Sequence, residues 1–150
     1  MPTFTNIDAL REAVQTDLGH GDWITVSQER IATFADATED HQWIHLDSER
    51  AKAGPFGVTI AHGYLTLSLL TRLCKGMIGV DGTKMAINYG LNRVRFPAPV
   101  PSGSRIRASA KVAGVEDVEG GVQVLLDVTV ECEGSAKPVC VAQTVSRFYV

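Results

Sequence analysis

GYLTLSLLTRLCKGMI, residues 63–78, is the longest apolar run in the chain, and a glycine opens it. Most of its large apolar residues keep helical spacing; these are Leu65, Leu69, Leu70, Leu73, Met77 and Ile78. Leu67 and Cys74 extend the apolar surface around much of the helix circumference. The pattern therefore predicts a long central helix that other elements cover on most sides.

The sequence after this helix has the period of β-strands. Residues 87–96 change phase within the run, which predicts a β-bulge near Asn92. The turns between the runs are short, and short turns favour antiparallel pairing. Three further β-rich runs follow, at 106–112, 122–133 and 139–150.

The first half of the chain supplies the remaining elements. Residues 7–18 predict a short amphipathic helix, and Trp23 to Val26 have strand composition. Ser27 is a suitable N-cap for a helix over 28–38, and a helical turn is expected near 48–53 within the loop 39–61. We therefore predict an α+β fold in which a five-stranded antiparallel sheet wraps around the central helix, with an overhanging loop segment.

The composition is that of a globular domain without a strongly charged surface. We expect residues 1–150 to form one domain, which would bury roughly 70% of the surface of the unfolded chain. The chain has 14 Lys and Arg residues against 17 Asp and Glu residues, without a basic block. Nucleic acid is therefore not an expected partner.

Cysteine usage and apolar segments indicate the compartment. Cys74, Cys132 and Cys140 are odd in number and lack C-x-x-C spacing, which argues against a disulfide framework and a zinc knuckle. A basic N-terminal region followed by an apolar one is absent, and no apolar stretch reaches the roughly 18 residues of a membrane span. The sequence predicts a cytoplasmic protein without a membrane span.

Asp40 and His45 are the first candidate functional pair. On one helix, side chains five residues apart point about 140° from each other, so the two converge only if the backbone leaves the helix between them. Trp43 and Ile44 indicate a segment anchored in the interior, which holds two side chains in fixed geometry. The alternative is that Asp40 is a solvated residue at a helix end.

His41 and His45 also form an H-x-x-x-H pattern, which raises the possibility of a metal site. The metalloprotease motif has Glu at the second position, whereas Gln42 stands here, and no further ligand is evident. We therefore expect no bound metal.

His62 and Gly63 form the second candidate group, at the start of the central helix. The first N–H groups of a helix lack an intrahelical acceptor, and a glycine lets an oxygen approach them closely. An oxyanion hole can be built in this way. The alternatives are that Gly63 relieves a tight turn and that His62 is a structural residue bonded to backbone.

A family resemblance rests on three stretches of sequence. The stretch from Phe34 to Ala51, with Asp40 and His45 at their spacing, resembles the signature of the (R)-specific enoyl-CoA hydratases, the MaoC-like dehydratases of the hotdog fold. The match looks close to a mycobacterial member of that family. The family often has Gly before the catalytic Asp, where Glu39 stands, and Asn-Pro where this chain has Gln42-Trp43. Two further stretches are similar, Ile60 to Gly63 and Arg93 to Val100.

The resemblance implies a function and the residues that carry it. It implies reversible syn hydration of a trans-2-enoyl-CoA to the (3R)-3-hydroxyacyl-CoA, with Asp40 and His45 as catalytic residues and Gly63 and His62 at the substrate. His45 is our expected base and Asp40 our expected acid, although the reverse assignment stays open. No metal or redox cofactor is implied, because CoA enters as part of the substrate.

Other functions are compatible with the same fold. They are an acyl-CoA thioesterase, a 3-hydroxyacyl-acyl-carrier-protein dehydratase, and a non-catalytic acyl-binding protein. A thioesterase that used a carboxylate alone would leave His45 without a task. The open edges of a five-stranded sheet also predict a homodimer joined edge to edge.

Overall fold

The computed structural model describes residues 3–150. Its helices are α1 (Ile7–Glu12), α2 (Gln28–Thr38), α3 (Trp43–Leu46), α4 (Ser48–Lys52), α5 (Gly63–Ser68) and α6 (Leu70–Leu73). Its strands are β1 (Thr3–Phe4), β2 (Asp17–His20), β3 (Ile24–Thr25), β4 (Gly79–Val80), β5 (Met85–Arg95), β6 (Arg105–Val118), β7 (Gly121–Cys132) and β8 (Cys140–Tyr149). Within residues 3–150, no helix combines the length and hydropathy needed to cross a membrane.

The main sheet has five strand positions, as predicted. β2 and β3 both pair with β6 on the side away from β7, so they share one position in the order β2/β3, β6, β7, β8, β5. All of these pairings are antiparallel. β1 and β4 form a separate two-stranded parallel pair. The α+β fold with an antiparallel sheet is confirmed.

The alternation read from the sequence faces the core. Along β7 every second residue from Val122 to Cys132 is buried, and along β6 the same holds from Ile106 to Val112. The register of β5 against β8 shifts between Leu91 and Arg93, which confirms the bulge near Asn92, and it also shifts between Asn88 and Gly90.

The central helix is shorter than predicted and is interrupted. It consists of α5 and α6, which are joined at Leu69, and it ends at Leu73 instead of Ile78. The Ser68 hydroxyl donates to the carbonyl of Tyr64, an i to i−4 bond that bends helices. Beyond Leu73 the chain turns through Gly76, which has a φ of 77°.

The predicted helix over 7–18 is wrong in its second half. α1 stops at Glu12, Gln15 takes a positive φ of 72°, and β2 then pairs with β6. Leu18 has the spacing of a helix residue, but it lies in β2, because this segment pairs with the edge of β6. The helix predicted over 28–38 is confirmed with its cap, since the Ser27 hydroxyl accepts a hydrogen bond from the Arg30 amide.

One apolar cluster joins the sheet to the central helix. It contains the alternating residues of β6 and β7 together with Leu65, Leu70 and Leu73 of the helix. Ile31 of α2 belongs to the same cluster, so the segment that carries the candidate pair is attached to the core.

Candidate active site

The segment that carries Asp40 begins where α2 ends. Glu39, the residue after α2, has φ 61° and ψ 22°, the left-handed conformation that terminates many helices. Asp40, His41 and Gln42 lie outside any helix, and α3 then begins at Trp43. The backbone thus leaves helical geometry between Asp40 and His45, as their spacing requires.

Hydrogen bonds on both sides anchor the short helix α3. The Ile60 amide donates to the carbonyl of Ile44 at 3.0 Å, and the Gln28 side-chain amide donates to the carbonyl of His45 at 2.8 Å. Thr59 in turn donates to the Gln28 side chain at 2.7 Å. The segment is therefore anchored, but through hydrogen bonds, because Trp43 and Ile44 are only partly buried and do not belong to the apolar cluster.

His45 is buried, with 6% of its surface exposed. Its Nδ1 is 2.7 Å from the carbonyl oxygen of Ile60. Because a carbonyl can only accept, Nδ1 carries the hydrogen and donates it, which leaves the lone pair on Nε2. Burial lowers the pKa of His45, against an opposing effect of the bond to Ile60. At neutral pH the ring is therefore an uncharged base with Nε2 available.

His62 is more deeply buried than His45, with 2% of its surface exposed. Its ring stacks on that of His45 with 3.8 Å between centroids and 23° between planes. Its Nε2 donates to the backbone carbonyl of Asp40 at 3.0 Å. One side chain thus contacts both members of the candidate pair.

Asp40, His45 and His62 converge on one point. One potential ligand atom from each lies within 4.8 Å of the other two. They line a cavity of about 240 Å³ together with Gly63, Tyr64 and Phe96. The predicted grouping of Asp40 with His45 and Gly63 is therefore present, whereas the catalytic and substrate-binding roles of these residues stay predictions.

The geometry of this group is a poor fit for a metal ion. His45 Nδ1 and His62 Nε2 are both engaged with carbonyl oxygens. The remaining nitrogen of His62, Nδ1, is buried, and the two rings stack with 3.8 Å between centroids. His41 bonds to Asp36 at 2.9 Å and is half exposed, so the H-x-x-x-H pair does not share an environment.

Gly63 is the first residue of α5, and its missing side chain is required by packing. A Cβ at this position would lie 2.9 Å from Cδ2 of Phe96, which is closer than Cβ atoms approach other heavy atoms in proteins. Gly63 is not among the residues with positive φ, so relief of a tight turn does not explain it. The ring of Phe96 thus takes the space that a side chain at position 63 would need, and both residues line the cavity of the site.

Phe96, Tyr64 and Ile60 complete the site, and the sequence interpretation did not assign them. Phe96 also borders a second, largely apolar cavity of about 420 Å³, which His45 and Gly63 share. Tyr64 follows Gly63 in the central helix, and 71% of its surface is exposed. This exposure is unusual for a large aromatic residue of a mostly buried helix. Ile60 acts through its carbonyl, which every residue type has, so no sequence signal could have identified it.

Comparison with known proteins gives consistent matches. The family described as MaoC like domain matches residues 10–133. The chain is 58% identical over 149 residues to the 3-hydroxyacyl-thioester dehydratase Z of Mycobacterium tuberculosis, which covers 99% of both chains. It is 45% identical over 133 residues to nodulation protein N of Rhizobium leguminosarum, which covers 87% of this chain and 83% of the relative.

A solved structure has the same fold over nearly the whole chain. A protein from Archaeoglobus described as a monoamine oxidase regulatory protein superimposes with a TM-score of 0.83 at 28% identity, covering 99% of this chain and 96% of that one.

Proposed function

The chain belongs to the MaoC-like dehydratase family, and from this premise we propose that it is an (R)-specific hydro-lyase that interconverts trans-2-enoyl-CoA and (3R)-3-hydroxyacyl-CoA in fatty acid metabolism. Membership makes it an enzyme of the hydratase and dehydratase type. The acyl thioester, its configuration and the CoA carrier are the proposed part. The name of the mycobacterial relative, a 3-hydroxyacyl-thioester dehydratase, supports the acyl thioester.

One observation carries the proposal: His45, which is buried and has no hydrogen-bond partner for Nε2 within residues 3–150, lies beside the Asp40 carboxyl group and the first turn of α5. Hydration needs a base that takes a proton from water as its oxygen bonds to C3. His45 suits this role, because burial keeps its ring uncharged and the Ile60 carbonyl holds its hydrogen on Nδ1. Asp40 then enters the step as the carboxylic acid and gives its proton to C2, and the proton that His45 took from water passes back to Asp40, which restores both groups.

The thioester oxygen gains negative charge between these two proton transfers. The Gly63 amide, at the first turn of α5, is the proposed hydrogen-bond donor to that oxygen. His62 is adjacent in sequence to Gly63 and lines the same cavity. Dehydration uses the same groups in reverse: His45 then protonates the leaving hydroxyl and Asp40 takes the proton from C2.

The proposed reaction needs neither a metal nor a redox cofactor. Addition of water to a conjugated thioester moves protons and one electron pair without any net oxidation. The CoA portion arrives with the substrate and leaves with the product. We therefore propose an enzyme that works with side chains and backbone alone.

We also propose that one domain forms a homodimer through β5. The apolar cluster draws on residues from Leu10 to Phe148, which supports a single domain. Within residues 3–150, β5 pairs with β8 alone and leaves its other edge open, and several of its apolar side chains are exposed. A partner strand there would satisfy the free edge. Light scattering coupled to gel filtration measures the mass, and a monomer would contradict the dimer. The apolar side chains are Met85, Ile87, Tyr89 and Leu91.

Replacement of Asp40 by Asn and of His45 by Gln tests the function. Both changes keep the size of the side chain and remove its acid or base. Each variant should hydrate crotonyl-CoA at least roughly 10²-fold more slowly than wild type, followed through loss of enoyl absorbance. His41→Gln is the matched control, because this histidine is in the same segment but bonds to Asp36. Folded variants with wild-type rates would refute the assigned pair.

The rival activities give different products. A thioesterase would release free thiol, which Ellman's reagent detects, without loss of the double bond. An enoyl series on CoA and on acyl carrier protein, compared by kcat/KM, would identify the carrier and the acyl length. Binding of the enoyl thioester without turnover would instead favour the acyl-binding alternative.

A further inference from the structure

We propose that His62 is a positioning residue that holds Asp40 and His45 in register with each other and with Gly63. The inference rests on the proposed function and deepens it. His62 contacts Asp40 through a hydrogen bond, His45 through ring stacking and Gly63 through the peptide bond. All three groups that the reaction would use are thus joined through one residue.

The first contact fixes Asp40, which has little else to hold it. Asp40 is exposed and follows the left-handed residue Glu39. The Gln42 amide donates a hydrogen bond to the Asp40 carboxylate, and this bond is long at 3.5 Å. The bond from His62 Nε2 to the Asp40 carbonyl is 3.0 Å and comes from a buried side chain. His62 therefore ties the Asp40 backbone to the core.

The second contact fixes the plane of the His45 ring. The two imidazoles stack at 3.8 Å, and Phe34 contacts the His62 ring at a centroid distance of 5.0 Å. His62 is too deeply buried to swing away. Together with the Ile60 bond to Nδ1, the stack sets the direction in which Nε2 of His45 points.

The hydrogen bond of His62 also determines which of its ring nitrogens carries a hydrogen. Its Nε2 must carry a hydrogen, since the Asp40 carbonyl only accepts. Its Nδ1 is buried and has no hydrogen-bond partner within residues 3–150. A buried Nδ1 and an engaged Nε2 also leave no atom for direct bonding to substrate.

Burial has the largest effect on the pKa of His45 and lowers it. Of the two neighbouring titratable side chains, His62 lowers the pKa of His45 further and Asp40 raises it. Removing the His62 imidazole while keeping the site filled should therefore raise the pKa of His45. This change separates a positioning residue from one that merely fills space.

Two substitutions separate the contacts. His62→Phe keeps an aromatic ring against His45 and removes the hydrogen bond to Asp40, whereas His62→Asn keeps an N–H donor and removes the ring. We expect both to lower kcat by about 10-fold or more with KM within about twofold, because misplaced groups affect the chemical step. His41→Gln, a histidine outside the site, should keep the wild-type kcat.

NMR titration of the His45 imidazole supplies a readout that does not depend on turnover. The resonance is assigned by its loss in His45→Gln. Its midpoint should rise in both His62 variants relative to wild type, and circular dichroism checks that they are folded. A lower melting temperature with unchanged kcat and an unchanged His45 titration would overturn the proposal. If the wild type hydrates no enoyl thioester, the proposed function fails, and the titration still decides whether His62 acts on His45.

Discussion

β6 and β7 are joined by a long ladder from Ile106 opposite Cys132 to Val118 opposite Gly121, with one register shift between Val112 and Gly114. Asp40, in contrast, is joined to the buried side of its site by one side-chain bond, from His62. In the ladder many residue pairs make equivalent contacts, so the loss of one contact leaves the pairing of the strands intact. At the site each contact is unique, and most go to backbone carbonyls. The comparison predicts that changes in the sheet reduce stability and changes at the site reduce turnover.

Ile106→Ala is the strongest test of the sheet side of this comparison. Ile106 is fully buried in β6, and removing its outer carbons should lower the free energy of unfolding by about 2–5 kcal/mol. Urea unfolding measures the loss, and kcat of the folded fraction at low temperature should stay near wild type. Thr129→Ala, at an exposed position of β7, is the matched control and should change stability by no more than about 0.5 kcal/mol. A parallel fall in kcat would break the comparison.

Gly63→Ala tests the site side with a single added carbon. The new Cβ would lie 2.9 Å from the Phe96 ring, so the ring or the start of α5 must move. We expect kcat/KM to fall about 10- to 100-fold through misplacement of the first-turn amide. Gly114→Ala is the control, because its Cβ would meet only Leu125 at 3.9 Å. Equal effects of the two substitutions would mean that Gly63 has no special position.

How far the sequence predicts the molecule follows the same division. Many residues contribute to the alternating pattern of β7 and to the pattern of the helix over 28–38. The sequence therefore predicts the buried face of the strand and the bounds of the helix correctly. The sequence does not predict the end of the central helix correctly, because that end depends on the turn at Gly76. The spacing of Asp40 and His45 predicted their convergence, yet the contacts that fix them come from carbonyls of Ile60 and Asp40, which leave no signature in the sequence.

The pH dependence of stability sharpens the comparison, since it isolates His45 from the sheet. Burial holds the pKa of His45 below its ordinary value of 6.5. Between these two values the unfolded chain binds more protons, so this contribution to stability is complete above pH 6.5 and is lost as the pH falls toward the lowered pKa. Urea unfolding of wild type and His45→Gln across this range should therefore diverge on the acid side. Parallel curves would contradict a depressed pKa.

Activity should follow the same group. If neutral His45 is the base, the acid limb of kcat/KM falls below pH 6.5, where the free enzyme becomes protonated. An acid limb above that value would assign the base to another group.

Glu39→Gly has the smallest expected effect and tests the turn that joins α2 to the segment that carries Asp40. Glu39 holds a φ of 61°, a conformation that is strained for a residue with a Cβ and unstrained for glycine. Glycine also adds freedom to the unfolded chain, which offsets part of the gain, so we expect the free energy of unfolding to rise by up to about 1 kcal/mol. Turnover should not change, because His62 and Ile60 hold Asp40 and His45 independently of this residue. Gain of stability with loss of turnover would instead mean that the strained turn itself orients Asp40, and that the site depends on local backbone geometry more than on its tie to the core.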